Sequence, residues 1–135
     1  MDSKERVTAI YEAFGRGDVP AIVEMAAADV DWGVDGEFTE ALAWLRPGRG
    51  RDKVLAYFGG VGATMEVHAF VPKHIAGDGD HGLALIEIDF TVKQTGKRLR
   101  VEEAMHFTFN AAGQIVRYRG FCDTAGRNRA YARDQ

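Results

Sequence analysis

The chain has a single cysteine, three prolines and two tryptophans among its 135 residues. A lone thiol, Cys122, cannot form an internal disulfide, so the fold has to be held by its core. No apolar run is long enough to cross a bilayer, and Met1-Asp-Ser-Lys-Glu-Arg6 lacks the apolar centre of a secretion signal. A cytoplasmic protein without a membrane partner is therefore expected. Basic charge is also missing: 17 Lys and Arg face 20 Asp and Glu, and the net charge of −3 speaks against a nucleic-acid partner. The one locally basic stretch, Arg127, Arg129 and Arg133 followed by Asp134, reads as a solvated, frayed end. No repeat, low-complexity tract or linker breaks the pattern. Residues 1–135 thus read as one domain, long enough to bury a real core.

Metal-ligand spacing is absent as well. His68 and His106 have no carboxylate or histidine close in sequence, and His81 sits with Asp78 and Asp80 in what reads as a hairpin turn. No metal and no cofactor are expected.

Periodicity supplies the fold class. Val7, Ile10, Tyr11 and Phe14 recur at the spacing of one helical face, with Asp2 as a cap and Gly15-Arg-Gly17 as a stop. Asp18 and Pro20 begin a second short helix whose buried side is Ile22, Val23, Met25 and Ala26. Val30, Trp32 and Val34 then alternate with polar partners as a short strand. A third helix carries Val54, Tyr57, Phe58 and Val61, and Gly59-Gly60 and Gly62 are expected to end it. From Thr64 onward four long strands are joined by turns at Asp78-Gly-Asp80, Gln94-Thr-Gly96 and Asn110-Ala-Ala-Gly113. A weak C-terminal helix capped at Asp123-Thr124 closes the chain. Helices segregated from a hairpin-connected sheet make an α+β domain. Strands this long twist, so the expected form is a curved antiparallel sheet wrapped around the N-terminal helices, a cone with an apolar pocket.

One residue breaks the apolar pattern of that sheet. Leu99, Val101, Met105, Phe107 and Phe109 share a face with Glu103, so Glu103 projects into the layer its neighbours bury. A buried carboxylate must find a cation or take up a proton, and a carboxyl in an apolar concavity is a usual way to build an acid, a base or a ligand clamp. Its plainer role is to pair with a buried arginine. On the last strand Arg117 and Arg119 read as outer-face charges in phase with Ile115 and Phe121, with Tyr118, Gly120 and Cys122 on the other face. Cys122, with no base beside it, reads as a small buried hydrophobe. Asp31 and Asp35 read as solvent-facing.

The order of four motifs carries a family resemblance: Tyr11-Glu-Ala-Phe-Gly-Arg-Gly-Asp18, Ala27-Ala-Asp-Val-Asp-Trp32, Gly50-Arg-Asp-Lys-Val-Leu-Ala-Tyr-Phe58 and Ile115-Val-Arg-Tyr-Arg119. Together they resemble the SnoaL-like branch of the nuclear transport factor 2-like superfamily, which includes ketosteroid isomerases, polyketide cyclases and limonene epoxide hydrolases. The resemblance spans roughly Lys4 to Ala125 and implies a cone-shaped α+β fold, an apolar pocket and a homodimer built on the sheet. It does not carry the isomerase apparatus of a tyrosine, an aspartate base and a protonated aspartic acid. Those positions fall at Ile10, Val34 and Met105, with Tyr11, Asp35 and Glu103 nearby, and Asp35 reaches the pocket only through a bulge. The Asp-Arg-Asp set of the epoxide hydrolases is not evident either.

The expected function is that of a pocket protein for a small apolar organic ligand. As an enzyme it would run cofactor-independent acid–base chemistry, an isomerisation, cyclisation or hydration, with Glu103 as the proton-transfer group. Tyr11, Tyr57 and Tyr118 would supply hydroxyls, and Trp32, Val34, Trp44, Met105 and Phe107 the wall. The alternatives are a non-catalytic ligand-binding protein and a protein-interaction domain of the same fold. Two further expectations concern surfaces. The sheet's outer face, with Glu87, Asp89, Thr91 and Lys93 beside Arg100, Glu102, His106 and Thr108, reads as a polar self-complementary dimer contact. The long connection from Asp35 to Gly50 carries Phe38, Leu42, Trp44 and Leu45 and reads as a lid over the pocket mouth, or as a short helix docked on the domain.

Overall fold

The computed structural model describes residues 1–133; Asp134, part of the basic tail, lies outside the described residues. Two helices open the chain, α1 (Ser3–Gly15) and α2 (Val19–Met25), capped by Asp2, which accepts from the Glu5 amide, and Asp18, which accepts from the Ala21 amide. The strand β1 (Ala26–Asp35) follows, then a 3-10 turn (Glu40–Leu45), the short strand β2 (Gly48–Arg49) and helix α3 (Arg51–Thr64). The long strands β3 (Met65–Asp78), β4 (His81–Val92), β5 (Arg98–Phe109) and β6 (Ile115–Phe121) complete one sheet, and helix α4 (Thr124–Tyr131) comes last.

The six strands lie in the order β2-β1-β6-β5-β4-β3. The sheet is curved and open, with the helices on its concave side, so the α+β cone holds. It is mixed rather than purely antiparallel, because β1 runs parallel to β6. The chain can make that pairing since β2 through β5 separate the two strands and give it room to cross over. Alternation on β4 is strict: Ile86, Ile88, Phe90 and Val92 are buried, and Glu87, Asp89 and Thr91 face outward.

The helix α3 departs from its sequence pattern. Its glycines do not end it; it runs through Gly59, Gly60 and Gly62 to Thr64. Gly60 explains why the helix carries a glycine there. A Cβ at that position would lie 2.2 Å from Cδ2 of Trp44, so the bare backbone is the floor on which the indole rests. The helix accepts the lower propensity of glycine in exchange for that contact.

A second departure is on β6. Ile115 does not share the outer face with Arg117 and Arg119. The register with β5 shifts between Thr108 and Phe109, so Ile115 pairs with Phe109 and is fully buried, while Arg117 pairs with Thr108 and Arg119 with His106. One extra residue at the bulge reverses the side chain. Arg119 is itself nearly buried, on the outer side, with its Nη2 2.9 Å from both carboxylate oxygens of Asp31. Asp31 is therefore an ion-pair partner rather than a free surface acid. On α2 only Ile22 is fully buried; Val23 and Met25 are half-buried.

The Asp35–Gly50 connection is docked rather than solvated. Leu42 and Leu45 are buried, the Lys53 ammonium donates to the Trp44 carbonyl at 2.8 Å, and β2 pairs with β1. Asn128 of α4 fastens the same segment, accepting from the Thr39 amide at 3.1 Å and donating to the Glu37 carbonyl at 2.9 Å.

The outer face brings together two histidines that are 25 residues apart. His81 Nδ1 and His106 Nε2 are 2.9 Å apart, and Arg117 and Arg119 lie across from His106 on β6. Burial, then the neighbouring His81 and Arg117, push the His106 imidazole below its ordinary value. The folded state therefore binds that proton more weakly than the unfolded chain. Stability is complete above the unfolded value near 6.5 and is lost as pH falls through it toward the lower folded value. We expect urea midpoints to fall between pH 7 and pH 5, and His106→Gln to flatten that slope; an unchanged slope in the variant would remove His106 as its source.

Candidate active site

The concave side of the sheet and the helices enclose an apolar cavity that opens to solvent at its mouth. Each element contributes by its own periodicity. The i, i+3 spacing of α1 delivers Tyr11 and Phe14, and α3 delivers Tyr57 and Phe58 as adjacent positions flanking its inner face. Trp32 comes from the inner side of β1, Tyr118 from β6, and Met105 and Phe107 from β5. Trp44 and Leu45 close a side from the 3-10 turn. The rings pack edge to face and tilted: Trp32 lies 4.4 Å from Tyr118 and 5.8 Å from Tyr57 between centroids, and Phe107 lies 5.0 Å from Tyr118. Val67, 38% exposed on the edge strand β3, also lines the cavity and marks its open end.

Of the residues expected at the pocket, Val34 is the exception. It is buried and on the same face as Trp32, but one pleat further along β1 it packs against Gly120, where an added Cβ would meet its methyl at 3.2 Å, and it does not line the cavity. Asp35 is exposed at the strand end, and no histidine lines the cavity among the described residues.

Glu103 is 5% exposed and lines the cavity, and a cation meets it there. Arg127 of α4 donates through Nε at 3.0 Å and Nη2 at 2.7 Å, both to the same oxygen, Oε2. Arg127 is as deeply buried as its partner, and its guanidinium lies 5.0 Å from the Phe90 ring centroid. Burial alone would weaken its charge, but the Glu103 carboxylate outweighs that and holds the guanidinium ionised. Arg127 and Arg129, which read in sequence as part of a solvated tail, thus lie on a helix with one face inside. Gly126, Arg127, Ala130 and Tyr131 are buried at helical spacing, and Asp123 caps it by accepting from the Gly126 amide. That i, i+3, i+4 pattern is the signal that would have revealed the buried face of this expected helix; its short length and two arginines hide that face.

Three phenols complete the polar lining. Burial, reinforced by Tyr57 and Glu103, pushes the Tyr11 hydroxyl well above the usual phenol range, and that hydroxyl donates to the Met105 sulfur at 2.7 Å. Burial also raises Tyr57, although Tyr118 and Arg127 pull it back, and it raises Tyr118 strongly with help from Tyr57 and Tyr11. All three therefore stay protonated near neutral pH and act as hydrogen-bond donors, not as sources of phenolate. Burial likewise pushes the half-buried Cys122 thiol up, which keeps it from being a nucleophile. Among the described residues no three His, Cys, Asp or Glu side chains gather as a metal cluster, and no helix is long and apolar enough to cross a membrane.

The open cone of sheet and helices thus surrounds an aromatic cavity with one buried carboxylate. The chain belongs to the SnoaL-like domain family, whose model matches residues 7–118. Solved structures with this fold include a nuclear transport factor 2-like protein from Burkholderia thailandensis, 22% identical, with a TM-score of 0.86 over 98% of each chain. A second, from Burkholderia pseudomallei, is 23% identical with a TM-score of 0.81 over 98% of this chain and 99% of that one. A third is SalBIII, described as an epoxide hydrolase/cyclase-like enzyme in pyran ring formation in the polyether salinomycin; it is 23% identical, with a TM-score of 0.72 over 92% of each chain. No curated protein sequence matches the chain.

Proposed function

We propose that the protein binds a small, mostly apolar organic compound in this cavity and carries out cofactor-independent acid–base chemistry on it, with Glu103 as the base. The observation that carries the reading is the Glu103–Arg127 pair. A buried ion pair seldom repays its desolvation in stability, so a pair on the wall of an otherwise aromatic cavity has its best explanation in what the cavity holds. Arg127 occupies only Oε2 of Glu103, which leaves Oε1 to accept a proton. Burial keeps Tyr57 and Tyr118 protonated, and they supply donors to an oxygen on which negative charge develops, while Tyr11 donates to the Met105 sulfur. Together they suit enolisation, and hence isomerisation or ring closure; SalBIII, a cyclase-like enzyme on the same fold, supports that direction. One carboxylate and one arginine fall short of the Asp-Arg-Asp set of epoxide hydrolysis.

Exchange of the α-protons of acetophenone in D2O tests the base directly, followed by proton NMR. The protein should accelerate exchange above the buffer rate, and the double variant Glu103→Leu/Arg127→Met should not. Exchange at the buffer rate with acetophenone bound would leave the second reading, a non-catalytic ligand-binding protein. That reading draws on the same pair, since a guanidinium anchored on Glu103 is also a fixed clamp.

We also place a homodimer contact on the outer face of the sheet. Its composition differs from the polar surface expected: Val71, Leu83 and Phe121 lie there 48%, 46% and 44% exposed, and ion pairs such as Arg98–Asp89 and Arg100–Glu87 flank them. Light scattering at micromolar concentration should give twice the chain mass, and Leu83→Lys should halve it. A monomeric wild type overturns the assignment.

A further inference from the structure

The pair on the cavity wall is asymmetric. Arg127 spends Nε and Nη2 on Glu103 Oε2. Among the described residues Glu103 Oε1 and Arg127 Nη1 make no hydrogen bond, and neither is sealed off as a fully buried polar atom. Both side chains line the cavity. The cavity wall thus carries one charged acceptor and one charged donor, fixed to each other and with no net charge between them.

From this we infer the head group of the ligand: a neutral group with a hydrogen-bond donor adjacent to an acceptor, such as a primary carboxamide or a hydroxy-ketone, on an apolar body. The inference rests on the binding reading above and narrows it to a ligand class. A carboxylate would gain from Arg127 but would be held within a few ångströms of Glu103, and an ammonium would meet the opposite conflict. Either ion would also surrender its hydration to walls made of Trp32, Tyr57, Phe107 and Tyr118. A neutral donor–acceptor group satisfies both unused positions at once. Each such hydrogen bond has an ionised partner and so is stronger than one between neutral groups. A ligand of the same size without a head group would fill the aromatic part and leave both positions bare.

Four benzene-sized probes separate these cases: toluene, benzamide, benzoate and benzylammonium. The chain has two tryptophans, Trp32 and Trp44, and both line the cavity. Their indole N–H signals in a nitrogen-15 correlation spectrum therefore report binding without a label. Benzamide should shift those signals with an affinity at least about tenfold above toluene, as one added charge-assisted hydrogen bond implies, and above both ions. In Glu103→Leu/Arg127→Met the benzamide advantage should disappear while toluene still binds. Equal binding of toluene and benzamide to the wild type would overturn the head-group inference and leave the pocket reading standing. Benzoate or benzylammonium binding tightest would overturn it in favour of a charged ligand. No shift from any probe at millimolar concentration would sink the pocket reading itself. If the double variant does not fold, the wild-type series alone decides.

Discussion

Arg127→Met is expected to lower unfolding stability by about 3–5 kcal/mol, because it leaves the Glu103 carboxylate buried without a counter-charge. Both partners are 5% exposed, and no other cation is within ion-pair distance of Glu103 among the described residues. Glu103→Gln should cost a similar amount for the opposite reason, stranding the guanidinium against Phe90. The double variant Glu103→Leu/Arg127→Met should recover most of either loss, since apolar side chains of similar volume replace two desolvated charges. Urea unfolding of the four proteins gives the coupling directly. If the single variants lose less than about 1 kcal/mol each, the pair is solvated and behaves as a surface salt bridge. In that case the chemistry assigned to Glu103 loses its low-dielectric setting.

Trp32→Ala is the second large effect, with an expected loss of about 3–5 kcal/mol for truncating a large buried aromatic. Trp32 is 2% exposed and touches four rings: Tyr57, Phe58, Phe107 and Tyr118. Its indole N–H makes no hydrogen bond, so the loss is one of packing alone. The void would join the existing cavity. The variant should therefore admit bulkier apolar ligands than the wild type while unfolding at lower urea. Thermal melts with and without a two-ring hydrocarbon such as naphthalene measure both consequences. A variant that melts early and gains nothing from naphthalene would show that Trp32 is core and that the ligand space lies elsewhere along the cone.

These expectations rest on features that differ in how openly the sequence displays them. Elements with one dominant period were legible. The i, i+3, i+4 run of α1 and the strict alternation of β4 and β5 each bury one side chain set and expose the other, and a period survives whatever packs against it. Glu103 was legible for the same reason, as a polar residue on an apolar phase. Features set by contact between distant segments were hidden. The bulge that turns Ile115 inward depends on the β5–β6 register, and the glycine at position 60 of α3 is explained only by Trp44, which needs a bare backbone beneath it. The parallel β1–β6 pairing likewise exists only once the chain has wound around its helices.

The sequence by itself determined that this chain folds as an α+β cone with a carboxyl group facing its interior, because local periodicity dictates which face of each element must leave water. Only the tertiary structure decided what that carboxyl is. Its partner lies 24 residues away, on a helix too short and too basic to announce a buried face. An ion pair is a property of distance in space, and Coulomb attraction in a dry interior gives no sign of itself in the order of residues along the chain.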